Sequence, residues 1–310
     1  MLADLHDRLS RAVGEVVVGQ EGLVAAVLAA VSVRGHVLLE GVPGVAKTLL
    51  ASTIARALAV DFRRVQFTPD MLPADLTGTM TLRGGELEFR PGPVFTNVLL
   101  ADEINRTLPK TQAALLEAMQ ERQASIEGET RPLPDPFLVL ATQNPIEYEG
   151  TYPLPEAQLD RFLVRVRVGY PSEEAELAML SLARTGVEPA GLDAVESVAG
   201  PEELAAAREE VDATTVAPEV AGYLVDLVRQ TRTLPSVQVG ASPRAAVHLL
   251  ATAKAGARLA GRDFVTPDDV ARMAPSVLAH RLVLRPEAEL ERFTDEDAVA
   301  AALEAVAVPR

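Results

Sequence analysis

The chain has 310 residues, room for about two domains of roughly 150 residues each, and its 48 % hydrophobic and 24 % charged residues exclude a disordered or fibrous chain. It has no cysteine, which excludes disulfides and thiolate chemistry, and no two of its four histidines (His6, His36, His248, His280) stand at ligand spacing, so no structural zinc site is expected. The net charge of −15 comes from 21 acids against 16 bases in residues 1–170 and 23 against 13 in residues 171–310; an acidic surface of this size repels phosphate backbones and disfavours a nucleic-acid binder, without excluding a local basic channel.

Residues 1–7 lack the basic start and apolar stretch of a signal peptide. The longest uncharged apolar run, Leu23 to Val33, is too short to span a bilayer. A cytoplasmic protein with no membrane insertion is therefore expected. Up to about Gly169, short apolar runs alternate with helical patterns. His36–Glu40, Val65–Thr68, Val98–Ala101, Leu138–Thr142 and Val164–Val168 read as strands. The middle ones are apolar on both faces, as in a parallel sheet covered by helices. Val164–Val168 alternates with two arginines, the pattern of an edge strand. Helices are expected over Thr48–Leu58 and Thr111–Glu121, and the alternation predicts an α/β fold. Two segments interrupt it. Thr79–Phe89 turns at Gly84-Gly85 and Ala124–Leu133 turns at Gly128, and both read as hairpins inserted into the core.

After Pro171 the strands nearly vanish. A linker-like stretch near 186–201 leads to helical patterns at Pro201–Val211, Pro218–Thr231, Pro243–Ala260 and Pro267–Val283. Ser242 before Pro243 and Thr266 before Pro267 are N-cap and first-turn proline pairs. Residues 1–170 are thus expected to form an α/β core and residues 171–310 a smaller all-α domain.

Gly41-Val42-Pro43-Gly44-Val45-Ala46-Lys47-Thr48 lies between a strand and a helix, the context a phosphate-binding loop requires. Its backbone N–H groups would surround the β-phosphate, with the helix N-terminus adding positive potential. Lys47 would reach the β- and γ-phosphates and Thr48 would offer its hydroxyl to Mg²⁺. Ala46 stands where glycine normally precedes the lysine, and adds only a methyl group. The strand Val98-Leu99-Leu100-Ala101 ends in Asp102-Glu103. Asp102 suits a magnesium ligand and Glu103 a general base for an attacking water. Each half alone also suits a glycine-rich turn or a capped strand end; together they point to an ATPase that uses ATP and Mg²⁺.

These segments resemble the MoxR family of AAA+ ATPases over nearly the whole chain. Residues 41–48, alanine included, are similar to that family's Walker A, and Ala101-Asp102-Glu103-Ile104-Asn105-Arg106 to its Walker B. Ala141-Thr142-Gln143-Asn144-Pro145 and Glu156-Ala157-Gln158-Leu159-Asp160-Arg161-Phe162 are similarly typical. The resemblance implies a P-loop NTPase sheet carrying helix-2-insert and pre-sensor-1 hairpins, followed by a helical lid. It implies that Leu49 belongs with the nucleotide-binding stretch and that Asn144 is a sensor orienting the attacking water. It implies that Arg161 is a finger donated to a neighbouring subunit, and that Arg244 is a second sensor whose target, in its own subunit or a neighbour's, stays open. Read alone, these three also suit a turn asparagine, a surface ion pair with Asp160 and a solvated first-turn arginine. Val18 and Gly19 are implied to line an adenine pocket, though the residues equally suit a helix lead-in. Arg106 reads best as a structural ion pair.

The function implied is ATP-driven, chaperone-like maturation of protein complexes, including metal-cofactor insertion. It is implied to proceed in a hexameric homo-oligomer, with a partner bearing a von Willebrand factor A domain. Two alternatives remain: a helicase-like nucleic-acid motor, and a scaffold that binds ATP without hydrolysing it. The hairpin tips read Arg83-Gly84-Gly85-Glu86 and Glu127-Gly128-Glu129, which offers little grip for a phosphate backbone. Glu103 argues against the scaffold.

Overall fold

The computed structural model describes residues 1–41, 47–144, 150–181, 184–185, 188–189 and 195–309. The chain begins with α1 (Leu2–Gly14) and α2 (Glu21–Ser32), then β1 (Val37–Gly41), α3 (Lys47–Ala57), β2 (Phe62–Gln66) and a short α4 (Pro73–Thr77). A hairpin of β3 (Gly78–Arg83) and β4 (Glu86–Pro91) precedes β5 (Val98–Asp102) and α5 (Pro109–Glu121). A second hairpin, β6 (Gln123–Ile126) and β7 (Glu129–Pro132), precedes β8 (Leu138–Gln143), and α6 (Glu156–Leu159) leads into β9 (Val164–Val168). Both expected hairpins are present.

Five of these strands form one parallel sheet in the order β2-β5-β8-β1-β9. Side chains alternate across it. Val37, Leu39, Val98, Leu100, Leu138 and Leu140 join the core beneath α1, α2 and α3. Leu38, Leu99, Ala101, Val139 and Ala141 face the opposite core with α5 and the hairpins. This two-sided burial is why the central strands read as unbroken apolar runs. The register pairs Val37 with both Leu140 and Val164, which brings Gly41, Asp102 and Gln143 to one edge of the sheet. That edge is the C-terminal one, where α/β sheets bind ligands.

β9 lies at the sheet's edge, as its alternation predicts. β2 is the other edge, and it begins at Phe62, three residues before the expected start at Val65. Arg63 and Arg64 hide it from a hydropathy reading, because an edge strand paired on one side tolerates charge.

The helical part contains α7 (Glu173–Ser181), α8 (Pro201–Asp212), α9 (Pro218–Gln230), α10 (Pro243–Leu259), α11 (Pro267–Leu278), α12 (Pro286–Leu290) and α13 (Asp295–Ala305). Two short ribbons accompany them, β10 (Arg184–Thr185) with β11 (Glu188–Pro189), and β12 (Val237–Val239) with β13 (Val283–Leu284). Ser242 Oγ accepts from Ala245 N, and Thr266 Oγ1 from Asp269 N, both at 3.3 Å, so the expected caps form. The helix expected over 267–283 stops at Leu278. A 3-10 turn over Ala279–Arg281 replaces its last part and turns Arg281 inward. Of the expected linker, residues 195–200 pack on the core: Val195 and Ala199 are buried, Val198 N donates to Ala57 O, and Arg8 Nη1 donates to Val198 O. Residues 186–187 and 190–194 lie outside the described residues. Among the described residues no helix is long and apolar enough to cross a membrane.

Candidate functional site

Lys47 opens α3 directly after the expected phosphate loop, with Thr48 and Leu49 in the first turn. Val42, Pro43, Gly44, Val45 and Ala46 lie outside the described residues. The strand entering the loop is tightly held: a Cβ on Gly41 would meet Val168 O at 2.2 Å, so only glycine fits there. Lys47 Nζ donates to Gly41 O at 2.8 Å and so bridges the two ends of the loop. Burial lowers the Lys47 pKa, while the charges of Asp102 and Glu103 act to raise it. The amine therefore feels both carboxylates, and the two halves of the expected site meet at one sheet edge.

Each carboxylate has an assigned partner. Asp102 Oδ1 accepts from Thr142 Oγ1 at 2.6 Å, and Asp102 Oδ2 from Arg64 Nη2 at 2.7 Å. Glu103 sits in the left-handed region, φ 56° and ψ 51°, just after β5 ends. This uncommon backbone for a non-glycine residue is held by Thr142 Oγ1, which accepts from Glu103 N at 2.9 Å. Glu103 Oε2 accepts from Gln66 Nε2 at 2.6 Å and pairs with Arg106 Nε at 3.0 Å. Arg106 thus forms the expected ion pair. Asn144 follows β8 at the same edge.

The donor set fits a magnesium–nucleotide. Magnesium is ordinarily held by one or two carboxylates together with substrate phosphates and water. One hydroxyl, one carboxylate strand end and a lysine match that chemistry. A cage made of protein ligands alone is not expected, and no cluster of three or more His, Asp or Glu suited to a metal occurs among the described residues.

Val18 and Gly19 lie between α1 and α2. Gly19 has φ +76°, and a Cβ there would meet Ala175 Cβ of α7 at 2.9 Å. The glycine is thus required locally by the packing of α7.

Arg161 and Arg244 lie elsewhere. Together they line a cavity of about 390 Å³ with Arg34, His36, Arg122 and His248. His36 precedes β1 and Arg161 precedes β9, so this cavity opens at the N-terminal edge of the sheet. At roughly 3.3 Å per residue, the run from His36 to Gly41 separates it from Lys47 by about 16 Å. The structure places Arg161 and Arg244 in one cavity and brings neither to the Lys47 edge of its own chain.

A buried staple holds this second group. Arg281 Nε donates to Asp160 Oδ1 at 2.8 Å, and Arg281 Nη2 to Phe162 O at 2.5 Å. Ser242 Oγ, the cap of α10, donates to Asp160 at 3.3 Å, and Arg244 Nε stands 3.8 Å from Asp160 Oδ2. The loop carrying Arg161 and the helix carrying Arg244 are therefore tied to one carboxylate. His248 Nδ1 accepts from Arg281 Nη2 at 2.5 Å; burial, then the Arg281 charge, lowers the His248 pKa to about 4. His36 is buried, accepts from Val139 N and bonds to Met119 O, and burial lowers its pKa to about 3. Both rings are neutral structural groups.

Sequence reasoning missed Arg64, Gln66, Thr142 and Arg281 as partners, and its alternative pairing of Asp160 with Arg161 is replaced by pairs of Asp160 with Arg281 and Arg244. For Arg64 and Gln66 no short pattern was available: they share one face of β2, and only its place beside β5 brings them to Asp102 and Glu103. For Asp160 with Arg281, 121 residues apart, no local signal existed.

A parallel sheet of this order, with two hairpins, a lysine-headed helix after β1 and paired carboxylates ending β5, defines the AAA class of ATPases. Residues 36–164 match the model of the ATPase family associated with various cellular activities (AAA), and residues 229–302 that of the AAA lid domain. The chain is 46 % identical to Chaperone MoxR1 of Mycobacterium tuberculosis, over 100 % of this chain and 84 % of that protein. It is 48 % identical to YeaC of Bacillus subtilis, over 99 % and 96 %. A solved structure of a candidate ATPase from Cytophaga hutchinsonii superposes with a TM-score of 0.93 at 41 % identity, covering 100 % of this chain and 96 % of that one. The chain belongs to the MoxR family of AAA+ ATPases.

Proposed function

We propose that this chain hydrolyses ATP with Mg²⁺ in a head-to-tail homo-oligomeric ring of six, and that the cycle remodels partner proteins. One observation carries the reading: the carboxylate pair and Lys47 share one sheet edge, while Arg161 and Arg244 share the opposite one. Neither arginine reaches its own chain's site, so both act on a neighbour's nucleotide. An interface that joins unlike faces forms a ring when the rotation between neighbours closes, and six subunits is what the family resemblance implies.

Lys47 contacts the β- and γ-phosphates, Val18 and Gly19 line the adenine, and residues 42–46, outside the described residues, would supply backbone N–H groups to the phosphates. Thr48 and Asp102 would hold magnesium, which offsets charge on the phosphate oxygens. Asp102 gives up its Arg64 partner to do so. Glu103 accepts a proton from water, which Asn144 orients. The water oxygen bonds to the γ-phosphorus as its bond to the bridging oxygen breaks, and that electron pair leaves with ADP. Arg161 and Arg244 of the neighbour neutralise the charge that develops. Loss of the γ-phosphate removes their shared anion and frees the interface to move.

The 46 % identity to a mycobacterial chaperone supports a protein client, here the maturation or metal-cofactor loading of a complex, with a von Willebrand factor A domain protein as partner. The first hairpin favours a polypeptide over a nucleic acid: its tip presents the opposed pair Leu82 and Leu87, 74 % and 66 % exposed. The test is phosphate release by the wild type and by Glu103→Gln. Turnover in the wild type with trapped ATP in the variant is expected. Equal, negligible release from both, with ATP still bound, would reduce the protein to a nucleotide-gated scaffold.

A further inference from the structure

The cavity at the N-terminal edge of the sheet holds more positive charge than the two arginines assigned above explain. Four of its lining residues are arginines, Arg34, Arg122, Arg161 and Arg244, and no lining residue is Asp or Glu among the described residues. Its two histidines are neutral, as their pKa values of about 3 and 4 require. Two carboxylates beside the cavity offset part of this charge. Asp160 is shared between Arg281 at 2.8 Å and Arg244 at 3.8 Å, and Asp135 stands 2.7 Å from Arg208 and 3.9 Å from Arg34. In a chain with 44 acids and 29 bases, this is a local reversal of sign. Among the described residues Arg122 and Arg161 form no ion pair, and like charges gathered with too little counter-charge oppose folding, so a polyanion from outside the chain is the natural complement.

Arg122 is the most deliberately placed of the four. It caps α5 in the left-handed region, with φ 53° and ψ 31°. Its Nη2 donates to the carbonyl of Arg34, which fixes the guanidinium at the cavity wall. Burial, then the charges of Arg34 and Arg208, lowers its pKa, with Asp135 only partly countering. A planar guanidinium held on one side keeps its other N–H groups for a second acceptor, and phosphate is the acceptor its fork fits best.

We infer that Arg122 is a third phosphate-contacting arginine of this cavity, which takes the polyphosphate of a nucleoside triphosphate held by an adjacent copy of the chain. The inference rests on the trans reading of Arg161 and Arg244 proposed above. The competing role for Arg122 is structural, as a cap tied to the Arg34 carbonyl.

The two roles separate by substitution. Arg122→Gln retains an N–H donor for the Arg34 carbonyl but loses the charge; Arg122→Lys retains the charge. ATP binding to the protein's own site, steady-state turnover of the assembled protein and thermal midpoint are measured for both, with Arg161→Ala in parallel. The expected result for Arg122→Gln is roughly tenfold to hundredfold slower turnover with unchanged ATP affinity and midpoint. Arg122→Lys should recover part of the rate. Mixing Arg122→Gln with Lys47→Ala protein should restore turnover, because the Lys47→Ala subunits supply an intact Arg122 to their neighbours. Wild-type turnover in Arg122→Gln, while Arg161→Ala is inactive and rescued by mixing, overturns this inference and leaves the trans reading standing. Full turnover in both Arg122→Gln and Arg161→Ala overturns the trans reading and this inference with it. Loss of ATP affinity or midpoint in both Arg122 variants marks a structural role and also overturns it.

Discussion

Replacing Asp160 by asparagine would strand a buried cation. The Arg281 side chain is 1 % exposed, and its Nε meets Asp160 Oδ1 at 2.8 Å. Its other donors go to the carbonyls of Asp160, Phe162, Leu163 and Val277 and to His248 Nδ1, none of them charged. Among the described residues Asp160 is the carboxylate paired with Arg281. Breaking a buried pair from one side costs about 3–5 kcal/mol, because the remaining charge stays desolvated. The Asp160 side chain is 21 % exposed, so water offsets part of the loss and the lower end, about 3 kcal/mol, applies. At roughly 2–4 °C per kcal/mol for a chain of this size, the thermal midpoint should fall by about 6–12 °C. Calorimetry of Asp160→Asn, Arg281→Met and the double variant measures it. The double variant should lose less than the two singles together, by about 1 kcal/mol or more. A shift of under about 2 °C for Asp160→Asn, or strict additivity, would refute the staple and with it the tie between the Arg161 loop and α10.

Acid should weaken the fold before most carboxylates titrate. His36 and His248 have pKa values lowered from 6.5 to about 3 and about 4, so the unfolded chain takes up protons that the folded chain refuses. Their contribution is complete above about pH 6.5 and is lost toward pH 4, at up to about 1.4 kcal/mol per pH unit for each. Urea midpoints between pH 7.5 and 4.5 should fall accordingly, and a flat profile down to pH 5 would contradict the burial of these rings. Gln66→Ala should free Glu103 from one of its two side-chain partners among the described residues, a 2.6 Å hydrogen bond. Basal ATP turnover should rise by up to about tenfold, the worth of one exposed bond to a charged group, with unchanged ATP affinity; slower turnover would show that Gln66 aligns Glu103 instead of restraining it.

What could be read from the sequence was local. The apolar runs that became β1, β5 and β8 are buried on both faces, and hydropathy sees that directly. The hairpins announced themselves by glycine turns, and α10 and α11 by a capping hydroxyl followed by proline. The arginines of β2 hid its start, since a strand paired on one side needs little apolar character. The early stop of α11 follows from Arg281, which is drawn out of helical register to reach Asp160 across 121 residues. The same distance in sequence concealed how the site is held. Arg64 with Asp102 and Gln66 with Glu103 meet only because β2 and β5 are neighbours, an adjacency fixed by the chain's topology and not by any short pattern. That Arg161 and Arg244 stand apart from Lys47 follows from strand direction, which becomes visible once the sheet is assembled.

The most direct test of a nucleotide shared between subunits is a mixing titration of Arg161→Ala with Lys47→Ala. Alone, the first should bind ATP without turning it over, and the second should fail to bind it. Mixed, they should recover turnover that peaks at intermediate ratios, because some interfaces then pair an intact Lys47 with an intact Arg161. If co-assembled mixtures, verified by differential tagging, stay as inactive as the separate proteins at every ratio, the arginines do not serve a neighbour and the account is contradicted.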